Sequence, residues 1–244
     1  MKNNQKKLRF DLEIIASLIK PNSKVLDIGC GDGELLHLLK STKNVDTRGL
    51  EISRIAVSKA VAKGISVIQG DAGKDLSQYP ENNFDYAILS QTIQAMQDPK
   101  EIMKQMLRVA RYAIISLPNF AYFKNRFYLL LKGEMPVRKT IPYQWYDTPN
   151  IHFCSINDFE NLCHKMGFHF ENKFHLTQNG KIMKSFSNKL FANFFAEFGI
   201  FVITKKDLAF VTQSEFVFNK NQKAILSGNA VGLANNISSN NSKN

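Results

Sequence analysis

The 244-residue sequence predicts an α/β fold: a Rossmann-like, seven-stranded, mostly parallel sheet with helices on both faces. Three observations predict it. An apolar run, Val25 to Ile28, breaks into Gly29-Cys30-Gly31-Asp32-Gly33 and leads straight into an amphipathic stretch, which is the sequence of a buried strand, a tight turn and a helix start. Short apolar runs then alternate with segments of helical period, as in successive βαβ units. Finally, Asp27, Glu51 and Asp71 stand in or just beyond the ends of the first three strands, where open α/β sheets bind their ligands.

The elements follow in order. After a basic stretch, Met1 to Lys7, the apolar positions Leu8, Leu12, Ile15 and Ile19 are interrupted by Arg9, Asp11 and Glu13. This pattern predicts an amphipathic helix with its acids on the outer face, not a signal peptide. The glycines at 29, 31 and 33 permit positive φ and remove the Cβ atoms that would hold a ligand off the backbone. The helix behind them, Glu34 to Lys40, offers unpaired N–H groups at its start. A polar turn, Ser41 to Asn44, precedes a second strand, Val45 to Leu50, ending at Glu51. Ser53 caps a helix to Lys63, Gly64 closes it, and a third strand, Ile65 to Gln69, ends at Gly70-Asp71. Pro80 to Asn83 turn into a fourth strand, Phe84 to Ser90. Asp98-Pro99-Lys100-Glu101 opens a helix whose Ile102, Met103, Met106 and Leu107 face the core. A fifth strand, Tyr112 to Leu117, stops at Pro118.

From Asn119 to Asn150 the alternation lapses into an aromatic and basic insertion, and Pro136, Pro142 and Pro149 make its second half a folded-back loop. Ser155-Ile156-Asn157-Asp158 is a capping-box pattern for a helix to Met166, with Gly167 as its cap. Phe168 to Leu176 and Ala192 to Thr204 suit a final antiparallel strand pair. Residues 1–206 thus form one domain carrying an insertion at 119–152, and 207–244 read as a disordered polar tail.

Composition excludes several classes. Lysine supplies 25 of the 32 basic residues behind the net charge of +11, and no basic block with interleaved aromatics stands outside the insertion, so no nucleic-acid partner is expected. No run reaches the ~20 apolar residues of a membrane span. Cys30, Cys154 and Cys163 have no framework spacing, which predicts reduced thiols in a cytoplasmic protein. His152, Cys154, Cys163 and His164 lack metal-finger spacing, and no metal is expected.

The glycine spacing is G-x-G-x-G, and Asp27 lies two residues before the first glycine, placed to accept from an ammonium group. This pattern resembles the first motif of class I S-adenosylmethionine (SAM) methyltransferases. The resemblance implies that Asp27, Gly29, Cys30, Gly31 and Gly33 surround SAM or S-adenosylhomocysteine (SAH). It places Glu51, with Ile52 beside it, on the ribose hydroxyls, Asp71 and Ala72 at the adenine, and Ser90 and Gln91 at the end of the fourth strand. Gln91 and Gln94 line the pocket, orient the ligand carboxylate or face solvent. His152 is the candidate general base, and ordering its loop through backbone hydrogen bonds is the alternative.

Longer stretches narrow the resemblance. Leu26 to Leu36, Gly49 to Ile52, Val67 to Asp71, Phe84 to Ala95, Leu107 to Val109, Ser116 to Phe120, Leu130 to Val137 and above all Ile141 to His152 occur in the same order in one bacterial family. Over roughly residues 8–205 the chain resembles the methionine-biosynthesis protein MetW family. That resemblance implies a methyltransferase fold that supports or regulates homoserine O-acyltransferase (acetyl- or succinyltransferase), with 119–152 as its docking surface. The alternative is a SAM-dependent methyltransferase for an unidentified small molecule, with 119–152 as a lid or an aromatic mini-core. Whether the chain is an enzyme stays open at this level.

Overall fold

The computed structural model describes residues 8–138, 140–177, 179–183 and 189–205; the tail expected to be disordered lies outside them. The chain begins with α1 (Phe10–Leu18) and β1 (Lys24–Ile28), then α2 (Glu34–Lys43), β2 (Asp46–Glu51), α3 (Arg54–Ala62) and β3 (Val67–Gln69). A short α4 (Ala72–Asp75) and a 3-10 turn lead to β4 (Phe84–Ser90). A second 3-10 turn (Ile93–Ala95), α5 (Pro99–Val109), β5 (Ala110–Pro118) and α6 (Phe123–Lys132) follow. The fold closes with α7 (Ile156–Lys165), β6 (Phe168–Leu176), α8 (Lys189–Phe195) and β7 (Phe198–Lys205).

One seven-stranded sheet runs in the order β3-β2-β1-β4-β5-β7-β6. The strands from β1 to β5 pair in parallel, and β7 is antiparallel to both β5 and β6. This is the mostly parallel sheet that the alternation predicts. The period of two sorts its side chains onto two faces. Val25, Ile88, Ile114 and Val202 join the core beneath α1 and α2. Leu26, Leu89, Ile115 and Phe201 join the other, beneath α5 and α7. The capping box forms as spelled, with Ser155 and Asp158 bonding each other's backbone N–H.

Three expectations need correction. Asp11 is not on the outer face of α1: it is fully buried. It lies four residues before Ile15 and seven before Leu18, so the helical spacing itself turns it inward. The run from Ala192 is not one strand. Its first residues belong to α8, where Phe194 stacks on Phe123 and Phe195 packs against it at a tilt, and only Phe198 onward enters the sheet. The insertion is not irregular throughout, since its first half forms α6, ended by Gly133 at φ 67°. Its second half is the loop the prolines predict.

Candidate functional site

The site forms where β1 and β2 end. Gly29 donates its N–H to Leu50 O at 2.7 Å, and the glycine turn continues with φ of 71°, 56° and 74° at Gly29, Gly31 and Gly33. Glu51 braces the turn: its Oε2 accepts from Gly31 N and its Oε1 from Ser53 N, both at 2.8 Å. A Cβ added at Gly31 would meet nothing within 4 Å, so the backbone there lies open. Gly33 instead begins α2 and packs on Ala60.

A cavity of about 100 Å³ opens against this turn, lined by Arg9, Leu12, Asp27, Gly29, Cys30, Gly31, Asp32, Glu34, Leu35 and Ser90. Asp27 is its most unusual group. It is 3 % exposed, and its Oδ1 is buried without a hydrogen-bond partner. Burial lifts its pKa to about 7; Arg9 pulls it down and Glu51 pushes it up. Cys30 is a free thiol whose pKa burial raises, with Asp27 and Glu51 adding to the rise, so it packs under the turn as a neutral group.

The structure thus brings Asp27, Gly29, Cys30, Gly31 and Ser90 to one cavity, with Glu51 holding the turn. Ile52, 68 % exposed, and the Asp71–Ala72 pair lie at the neighbouring strand ends without lining it. Asp71 caps α4 by accepting from Gly73 N. Gln91, at φ 53°, donates its Nε2 to Asp11 Oδ2. Gln94 accepts from Ile151 N and His152 N through its carbonyl, and the His152 side chain is exposed. That bond is made by the backbone of His152 and not by its imidazole.

Sequence reasoning missed the polar hub above the cavity. Buried Asp11 accepts from Arg9 Nε and Nη2 at 3.1 and 3.0 Å, from Ser90 Oγ at 3.0 Å and from Gln91 Nε2 at 3.0 Å. Arg9 Nη2 also reaches Ser90 Oγ at 2.6 Å. The signal that could have found the hub is the inward helical position of Asp11.

The insertion supplies a second surface. Leu130 (76 %), Leu131 (77 %), Trp145 (72 %) and Tyr146 (71 %) stand exposed on α6 and the loop beyond it. Arg126 and Arg138, by contrast, lie over the rings of Phe194 and Tyr122.

Comparison with known proteins gives these features a family. A bifunctional methionine biosynthesis protein MetXA/MetW of Rhodopirellula baltica is 35 % identical over 164 residues, 64 % of this chain and 26 % of that protein. The chain therefore spans about a quarter of that relative's length, and 33 % and 56 % of two further curated relatives, both methyltransferases. A SAM-dependent methyltransferase of Thermotoga maritima superposes with a TM-score of 0.58 at 22 % identity, covering 81 % of this chain and 89 % of that one. The plantazolicin methyltransferase BamL, solved with SAH, gives 0.56 at 17 % identity, with 80 % and 84 % covered. The fold is that of class I SAM-dependent methyltransferases. The profile of the methionine biosynthesis protein MetW matches residues 9–203, and this chain belongs to that family.

Proposed function

We propose that this chain is a SAM- or SAH-binding subunit that supports or regulates homoserine O-acyltransferase in methionine biosynthesis. The ligand half rests on Asp27. A buried carboxylate oxygen without a partner is costly unless a cationic group arrives to pair with it, and the α-ammonium of SAM or SAH is such a group. The cavity's volume suits the amino-acid end of the ligand alone. The nucleoside would lie across the open strand ends, its ribose toward Glu51 and its adenine toward Ile52, Asp71 and Ala72.

The partner half is carried by one observation: large apolar side chains of α6 and its loop stand more than two-thirds exposed. Such side chains serve as interface anchors. The fused Rhodopirellula relative supports the same reading, because fusion into one chain makes the encounter of two units intramolecular. The test is co-purification with the acyltransferase and assay of its activity. Truncating Trp145 or the Leu130–Leu131 pair to alanine is expected to cost about 2 kcal/mol, roughly 30-fold in affinity. Variants that keep their melting temperature, complex and stimulation would reject this surface as the docking site.

The second reading, methyl transfer to a small molecule, is favoured by the bonds from Ile151 and His152 to Gln94, which tie the insertion beside the turn after β4. Labelled SAM supplied with cell extract tests it. Transfer that His152→Ala abolishes without loss of SAM binding would make His152 the base.

A further inference from the structure

We propose that the outer half of α6 is a plug, which enters a deep apolar cleft with an acidic lip on the protein partner instead of resting one face on a flat surface. The inference rests on the docking reading above and adds to it the mode of insertion and the chemistry of the partner's site.

A helix on a domain surface normally carries one apolar stripe, turned to its own core. α6 does not. Of its ten residues the one that is buried is Asn125, a polar residue. The anchors of α6 lie in its first turn, where Phe123 packs on Phe194 and Phe195 and Asn125 Nδ2 donates to Phe120 O at 3.1 Å. Beyond them Phe127, Tyr128, Leu129, Leu130 and Leu131 follow one another, all exposed. Successive residues of an α-helix point about 100° apart, so this run goes right round the circumference. Leu129 faces nearly opposite to both Phe127 and Leu131. A flat partner covers one side of a helix and would leave the other in water. Burying the whole run takes walls on several sides, around a helix roughly 10–12 Å across and for about 7 Å of its length.

Charge identifies the kind of wall. Lys124 and Arg126 stand at the base of the run and Lys132 at its end, all exposed. The one acid between residues 123 and 138 is Glu134, which is engaged by Tyr128, whose hydroxyl donates to its Oε2 at 3.2 Å. A cationic collar around an apolar stretch is complementary to an apolar cleft with carboxylates on its lip. A lipid surface fits less well. A helix lying in a bilayer interface keeps a polar face toward water, and residues 127–131 leave none. Entry end-on would carry Lys132 and Glu134 into hydrocarbon first. A protein cleft can meet Lys132 with a carboxylate.

The experiment measures binding of the full chain to homoserine O-acyltransferase by biolayer interferometry, with glutamine placed singly at Leu129, Leu130 and Leu131. Glutamine is a good helix former, so α6 is retained, and thermal melting checks each variant. Leu129→Gln and Leu131→Gln, on opposite sides, are each expected to weaken the complex about tenfold or more. Lys132→Glu is expected to weaken it and to flatten its salt dependence. Hydroxyl-radical footprinting of the wild-type complex asks the same question without a variant: Phe127, Tyr128 and all three leucines should lose reactivity on binding. Protection confined to one side, with Leu129→Gln within about twofold of wild type, would overturn the plug in favour of face-on docking. A complex indifferent to every one of these changes would overturn it as well. Sedimentation of the chain with phosphatidylcholine vesicles containing about one-third phosphatidylserine, lost in the same variants, would overturn it in favour of a lipid surface. Failure of wild type to form any complex would instead overturn the docking reading on which the inference rests.

Discussion

At the scale of the residue, Asp27 sets how this site responds to pH. Its carboxyl titrates near pH 7 in the folded chain because burial penalises the charge, and near 4 when unfolded. A raised carboxyl pKa means that the native state holds a proton the unfolded chain has released. The contribution to stability is therefore complete below about pH 4 and is lost as pH rises through about 7. The ligand-free protein should lose on the order of a few kcal/mol between pH 5 and 8 relative to Asp27→Asn, a difference that thermal melting will show. Binding runs the other way, since an ammonium partner prefers the ionised carboxylate. SAH affinity should rise from pH 5.5 to about 7.5 with proton release, which calorimetry in buffers of different ionisation enthalpy will detect. Asp27→Asn should flatten that dependence and bind more weakly. Asp27 was legible in the sequence because an acid inside an apolar strand is anomalous by itself. The helical spacing of Asp11 gave its inward position away, but its partners Ser90, Gln91 and Ser116 lie about 80 to 105 residues on, beyond any local pattern.

At the scale of the element, the glycine turn and its Glu51 brace act as one unit. Gly31→Val would force a branched side chain to φ 56°, at a cost of roughly 1–2 kcal/mol, and point its methyl groups into open space where the ligand is expected. SAH binding should fall at least tenfold with only a modest drop in melting temperature. Glu51→Ala releases both Gly31 N and Ser53 N, so it should weaken binding at least tenfold as well. Unchanged affinity in both variants would remove this turn from the ligand site. The elements from Val25 to Pro118 read clearly because each has one periodicity and a chemical start or stop, such as Ser53, Asp98 or Pro118. The aromatic runs of α6 and α8 have no such stripe. Phe123, Phe194 and Phe195 could face a partner in either a helix or a strand, and their stacking on one another decides the outcome.

At the scale of the whole molecule, the sheet is completed by its last strand. β7 inserts between β5 and β6, and Ile200, Phe201, Val202 and Ile203 are buried on both faces. The sequence pattern announced an antiparallel pair at the end but not its order, because the order depends on which edge is free when the strand arrives. A chain ending at Glu197 should fail to melt cooperatively and should aggregate, whereas one ending at Lys205 should keep its melting temperature within a few degrees. Circular dichroism of the two truncations checks both outcomes. The same topology has a consequence during synthesis. The 80 residues that separate Pro118 from Phe198 take roughly 4–16 s to translate at ~5–20 residues per second. Throughout that interval β5 is an apolar strand with an unpaired edge, the feature that templates aggregation. The nascent chain thus has a timed window of risk that closes only when its final strand emerges, and an engaged chaperone would be needed during those seconds and not afterwards.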